Sequence, residues 1–202
     1  MKLTRRNLLA GGAGALALAA TARAGQAAGP NGLTHDPDQP VLGNPQGDVT
    51  IVEFYDYQCP FCRDNHPALL QLVQDDGNLR LVMRDWPIFG AASLHAMKLG
   101  LGAVDLGRYR QVNTALMAIS GRRIEPTAFD AVVREAGVEP QDALASFAAR
   151  EPAWQALLDR TARFAEAAGI RGTPTYVIGQ EIFQGVTTAR AMRHAIGRVR
   201  RA

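Results

Sequence analysis

From Val49 to Tyr55 the chain reads Val-Thr-Ile-Val-Glu-Phe-Tyr, a β-branched and aromatic run interrupted by a single charge, Glu53. Such a run predicts a buried central strand. Pro60 follows shortly after, at a residue type suited to starting a helix. Ala68, Leu69, Leu72 and Val73 then recur at helical spacing until Asp75-Asp76-Gly77-Asn78 stops them. A helix is expected over about 60–74, kinked where Pro67 removes a backbone donor. Residues 79–84 alternate and predict a second strand, so the strand-helix-strand order implies a parallel pair with a right-handed crossover. A long middle stretch, 92–169, is helical in pattern near 92–106, 109–119, 126–136, 141–149 and 153–168, with Gly or Pro between the segments. Thr175–Ile178 and Glu181–Gln184 then predict a hairpin across Gly179-Gln180. A last helix is expected over about 188–198, capped by Thr187. Residues 40–43 read as a short edge strand.

The N-terminus breaks this pattern. Lys2, Arg5 and Arg6 precede an uncharged stretch, 8–22, rich in Leu, Ala and Gly, which ends in the small-x-small triplet Ala22-Arg23-Ala24. It reads as an export signal cleaved after Ala24, because the run falls short of the roughly 20 residues that span a bilayer. Thr4-Arg5-Arg6-Asn7-Leu8-Leu9 resembles a twin-arginine signal. Residues 25–39, dense in Gly, Pro and Asp, read as a flexible leader, and the folded domain as 40–199.

The charge balance shifts with the signal. Residues 1–24 hold four basic and no acidic residues, so a chain of formal charge +3 becomes −1 without them. That removes the case for nucleic-acid binding. The late arginines (Arg190, Arg193, Arg198, Arg200, Arg201) read as a solvated face and a frayed tail. About 178 residues remain, enough for one domain, or one domain with an inserted subdomain.

The only two cysteines, Cys59 and Cys62, sit three positions apart at the junction of the predicted strand and helix. Three chemistries compete for such a pair. A structural staple across so short a loop would remove little unfolded-state entropy. A zinc site needs four ligands; there is no second Cys-x-x-Cys, and His35, His66, His95 and His194 are scattered. A redox pair fits better. The first backbone N–H groups of a helix lack intrahelical partners and stabilise an anion such as a Cys59 thiolate. Cys62, one turn on, could then attack a mixed disulfide on Cys59. Export supplies a compartment in which disulfides persist.

The run Phe54-Tyr55-Asp56-Tyr57-Gln58-Cys59-Pro60-Phe61-Cys62, with Thr173-Pro174 ahead of the hairpin, resembles the DsbA-type thiol–disulfide oxidoreductases of the bacterial envelope. The likeness covers about 40–199. It implies an α/β, thioredoxin-like fold with a helical subdomain inserted at about 92–169. It implies Cys59 as the exposed nucleophile, Cys62 as the buried resolving thiol and Pro174 as a cis-proline facing them. Thr173 of that loop, with Pro60 and Phe61, would meet substrate. Glu53 matches a buried acidic position of the family and would relay a proton to or from Cys62. His66 reads as surface, and Trp86 and Trp154 as core or subdomain contacts.

The resemblance implies no cofactor beyond the Cys59–Cys62 disulfide, and no metal. Its partners would be reduced or misoxidised exported proteins and a membrane redox partner of the DsbB or DsbD type. Phe61 stands where the best-known oxidases of the family carry histidine, and Thr173 where they often carry valine. Phe61 offers the thiolate neither charge nor hydrogen bond, whereas the Thr173 hydroxyl could donate one. The leader is too short and broken for the dimerising domain of family isomerases, which favours a monomeric oxidase. A disulfide isomerase or reductase of the same fold, and a redox-independent chaperone or binding protein, remain the alternatives.

Overall fold

The computed structural model describes residues 30–202, so the export signal read over 1–24 and the first residues of the leader lie outside the described residues. A five-stranded sheet of order β1-β3-β2-β4-β5 organises the chain. β2 (Val49–Tyr55) and β3 (Leu79–Asp85) pair in parallel at its centre. α2 (Pro60–Asp76) makes the crossover between them, with Pro67 inside the helix and Gly77 at φ 70° ending it. Only glycine adopts that left-handed conformation without a side-chain penalty. β1 (Val41–Gly43) is the short edge strand, antiparallel to β3. β4 (Thr175–Ile178) pairs with β2, and β5 (Glu181–Gln184) closes the hairpin.

The alternation along β2 divides the core. Ile51 and Tyr55 pack with Leu81, Met83, Tyr176 and Ile178 against Leu69 and Leu72 of α2. α8 (Ala189–Val199) joins that face through Met192, Ala195 and Ile196. Val52, Phe54 and Val82 point the other way, to Ala165, Phe164 and Ile170. Glu53 falls in phase with Ile51 and Tyr55, which puts a carboxyl on the α2 face of the sheet.

The middle of the chain forms α3 (Ala91–Asp105), α4 (Tyr109–Met117), α5 (Pro126–Glu135), α6 (Pro140–Ala149) and α7 (Glu151–Ala167). α7 serves both parts of the molecule. Its first half, with the fully buried Trp154 and Leu157, packs on Met97, Leu101 and Phe147; its second half, with Phe164 and Ala165, covers the sheet. The helical insertion thus ends within α7 rather than after it. Trp86, half-buried, stacks edge-on against Phe54.

α3 and α6 cross at Gly102, where an added Cβ would lie 1.8 Å from the Ala143 carbonyl oxygen. Gly102→Ala is expected to force the helices apart and lower stability by about 1–3 kcal/mol, measured by denaturant unfolding.

Three expectations need correction. Residues 30–39 are not a free leader: Pro30–Thr34 forms a short helix, α1, and Asp36 and Gln39 are buried. Buried Arg84 donates to the Gly32 and Leu33 carbonyls (2.5 and 3.0 Å), and Arg80 donates to the Thr34 carbonyl. The terminal arginines lie on an exposed face as expected, but the tail is not frayed: Arg200 bridges Asp48 and Asp76, and Arg198 pairs with Glu181. The cap of α8 is Thr188, whose Oγ1 accepts from the Ala191 N–H, one residue later than expected. No helix among the described residues is long and apolar enough to cross a membrane.

Candidate active site

Cys59 is the N-cap of α2 and Pro60 its first residue. The turn leading in is held by Asp56, whose carbonyl accepts from the Cys59 N–H (3.0 Å). Its carboxylate accepts from the N–H groups of Gln58 (2.8 Å), Ile88 (2.7 Å) and Phe89 (3.2 Å). One buried carboxylate therefore ties the cysteine turn to the loop after β3. Gln58, the residue before Cys59, is clamped to the helical part through paired bonds with the Ile124 carbonyl (2.7 Å) and N–H (2.9 Å). Arg63 lies over the same junction, donating to the Tyr57 carbonyl (2.6 Å) and to the Gly121 carbonyl.

Both cysteines are free thiols. Cys59 is covered rather than exposed, at 1% accessibility, and Cys62 is fully buried. The Thr173–Pro174 peptide bond is cis. Across from the helix start, the Thr173 carbonyl accepts from the Cys59 thiol at 3.3 Å. The expected link through the Thr173 hydroxyl takes a different form: Oγ1 is buried without a hydrogen-bond partner, and the backbone carbonyl makes the contact. The helix start and the loops bonded to this turn carry exposed apolar side chains. Phe61 is 58% exposed, and Ile88, Phe89 and Val186 are exposed with it. The Gly185 N–H donates to the Pro174 carbonyl (2.8 Å), which sets Val186 beside the proline loop.

The environment separates the two thiols. A hydrogen bond from Cys62 holds the Cys59 thiol down at about 6, with smaller help from the Cys62 and Phe61 backbone N–H groups, against the opposing effect of burial. Burial pushes the Cys62 thiol far up, and neighbouring Cys59 and Glu53 add to that. Glu53 is fully buried, and burial raises its carboxyl to about 8; the charges of Cys59 and Asp85 push the same way. The sequence-predicted residues Glu53, Cys59, Pro60, Phe61, Cys62, Thr173 and Pro174 thus meet at one end of the sheet.

Sequence reasoning missed Asp56, Gln58 and the apolar rim of Ile88, Phe89 and Val186. It also misassigned His66, which is buried at 2% accessibility rather than on the surface. Its spacing held the signal: His66 is four residues after Cys62 and three before Leu69, so all three share the sheet-facing side of α2.

A Cys-x-x-Cys at the start of a helix, opposite a cis-proline and beside a central parallel strand pair, defines a thiol–disulfide oxidoreductase fold of the DsbA type. Comparison with known proteins agrees. The Thioredoxin family profile matches residues 35–198, and the chain belongs to that family, among its DsbA-like members. A thioredoxin-like oxidoreductase from Silicibacter pomeroyi is 36% identical with a TM-score of 0.81, covering 87% of this chain and 99% of its own. The thiol-disulfide exchange protein alpha-DsbA2 from Wolbachia pipientis is 26% identical with a TM-score of 0.76, covering 84% of this chain and 91% of its own. Na(+)/H(+) antiporter NhaA 1 of Salinispora arenicola is 33% identical over 92 residues, which are 43% of this chain but 14% of the antiporter. The chain therefore spans a small fraction of that curated relative.

Proposed function

We propose that this protein is a thiol–disulfide oxidoreductase of the bacterial envelope that oxidises cysteine pairs in exported proteins. The observation that carries the reading is the asymmetry of the two thiols, one poised near neutrality at a helix start and the other buried and held protonated. In the oxidised protein a substrate thiolate attacks the Cys59 sulfur. The Cys59–Cys62 bond breaks, and its electron pair leaves on Cys62, which takes a proton from Glu53. A second substrate thiolate then attacks the sulfur of the first substrate cysteine, forming the substrate disulfide and expelling Cys59 as a stabilised thiolate. Two substrate thiols are oxidised, one protein disulfide is reduced, and one of the two released protons ends on Cys62.

Other features support this assignment. The exposed Phe61, Ile88, Phe89 and Val186 give an apolar bed for an unfolded chain, and the Thr173-Pro174 backbone gives an edge for main-chain pairing. The N-terminal signal supports an envelope location, and a DsbB- or DsbD-type membrane partner would restore the disulfide. No cofactor is invoked, and the chain acts as a monomer.

Equilibration against glutathione buffers tests the direction. The potential is expected well above the roughly −270 mV of a reducing thioredoxin; a value at or below it would make the protein a reductase. The pH dependence has a fixed sign. The Cys59 pKa is depressed from 9.0 to about 6 in the folded reduced protein. The resulting stabilisation is full above about pH 9, declines as pH falls, and is gone below about 6. The stability of the reduced protein relative to the oxidised one, from paired urea melts, is expected to fall over that window.

A further inference from the structure

Behind Cys62, α2 carries a second polar group toward the sheet. Nδ1 of His66 lies 4.0 Å from Oε2 of Glu53, with both side chains buried. Neither Glu53 oxygen and neither His66 nitrogen has a hydrogen-bond partner, an unusual state for four buried polar atoms. Around Glu53 stand Cys59 and Cys62 from α2, Tyr176 from β4 and Asp85 from β3. The Tyr176 hydroxyl accepts from Asn65 (2.7 Å) and turns its own O–H toward Glu53, which favours the carboxylate; Asp85, itself raised to about 8 by burial, repels that carboxylate when ionised. In register with Glu53 on β3 stands Met83, which carries no charge. Arg63, the nearest cation along α2, is committed to the Tyr57 and Gly121 carbonyls. On its other side His66 faces Asn113 of α4. Among the described residues, His66 is the one basic side chain brought to Glu53.

We propose that His66 is the positioning residue for Glu53: its imidazole N–H turns to the carboxylate formed when Glu53 protonates Cys62, and stabilises that ionised form. The inference rests on the proton role proposed for Glu53. The separation is about 1 Å beyond hydrogen-bond length, a gap that rotation of the Glu53 carboxyl can close. Burial holds the imidazole down at about 4, so it acts as a neutral N–H donor through the physiological range. In the forward step the proton moves from the Glu53 carboxyl to the Cys62 sulfur, and the Glu53 carboxylate recovers a proton from solvent. In the reverse step the carboxylate, held by His66, takes the Cys62 proton so that this sulfur can attack a mixed disulfide on Cys59.

The reverse step gives the test. Reduced protein reacting with 5,5′-dithiobis(2-nitrobenzoate) releases one thionitrobenzoate when Cys59 attacks and a second when Cys62 resolves the mixed disulfide. The rate of the second phase is expected to rise with pH through a midpoint near 8, the value of Glu53. In His66→Leu, which removes the N–H donor, that midpoint should move up by about one unit or more. The second-phase rate at pH 7 should then fall about tenfold, while the first phase keeps its pH profile. Glu53→Gln should remove the midpoint near 8 altogether. An unchanged midpoint in His66→Leu, with the midpoint lost in Glu53→Gln, overturns the role of His66 and leaves that of Glu53 standing. A profile unchanged in Glu53→Gln overturns the Glu53 reading itself. If His66→Leu fails to fold, nitrogen NMR of His66 in the unaltered protein decides. Its Nδ1 resonance should shift as Glu53 ionises near pH 8 and not in Glu53→Gln; no shift in the unaltered protein overturns the proposal.

Discussion

Cys59→Ala is expected to abolish oxidation of reduced protein substrates, whereas Cys62→Ala should accumulate mixed disulfides with substrates that carry a disulfide. The two outcomes follow from the division between the thiols. Cys59 carries the low pKa and faces the proline loop and the apolar rim. Without it the protein can form no disulfide for an incoming substrate thiolate to attack, and Cys62, fully buried and held protonated, stays an inert thiol. Without Cys62, the Cys59 thiolate still attacks a disulfide of an oxidised or misoxidised substrate, displacing one substrate thiol and forming a mixed disulfide, but the protein sulfur that would resolve it is gone. Thiol-quenched envelope extracts run with and without reductant would read this directly, with Cys62→Ala giving reductant-sensitive higher-mass bands and Cys59→Ala none. Full activity in Cys59→Ala would convert the reading to a redox-independent chaperone or binding protein. No captured species with Cys62→Ala would remove the exchange mechanism.

The second large effect is on stability and lies away from the cysteines. Asp36→Ala is expected to destabilise the fold by about 3–5 kcal/mol, the cost of stripping a buried ion pair of one partner. Asp36 accepts a two-point contact from Arg160, Nε to Oδ2 at 2.6 Å and Nη2 to Oδ1 at 3.0 Å. It also lies 3.7 Å from Nη1 of fully buried Arg84. Burial pulls the Arg84 guanidinium down to about 10, and the Asp36 charge opposes that pull. With Asp36 removed, Arg84 keeps its carbonyl contacts but loses the carboxylate facing it. Denaturant unfolding should show a lower midpoint, and cleavage by a broad-specificity protease such as proteinase K should begin in the segment before β1. An unchanged midpoint would mean that this segment contributes nothing to the folded core.

How much of this was legible follows from the range of each signal. The central strand, the active-site helix and the hairpin are written in local periodicity, and their bounds match to within a few residues. Cys59 needed only its local motif, a cysteine before a helix-starting proline, whereas Pro174 was assigned through the family resemblance, since a Thr-Pro before a strand is by itself only a turn. Leader residues 30–39 misled because Gly, Pro and Asp are the composition of a free segment. The cation that Asp36 approaches, Arg84, is on β3, 48 positions away, and its other partner, Arg160, is 124 away. His66 misled in the same way. Its type is often found on surfaces, and only the strand opposite α2 shows that it meets Glu53.

By itself, then, the sequence determined the order of elements, the fold class and the pair of cysteines at a helix start, because helix and strand preferences act over a few residues. The tertiary structure decided the rest. It brought Thr173 to Cys59, set Glu53 and His66 together behind Cys62, sealed Asp36 between two arginines and ringed the site with Phe61, Ile88, Phe89 and Val186. Those are encounters between side chains distant along the chain. Burial and the pKa changes it causes depend on what covers a group in space, and no local pattern records that.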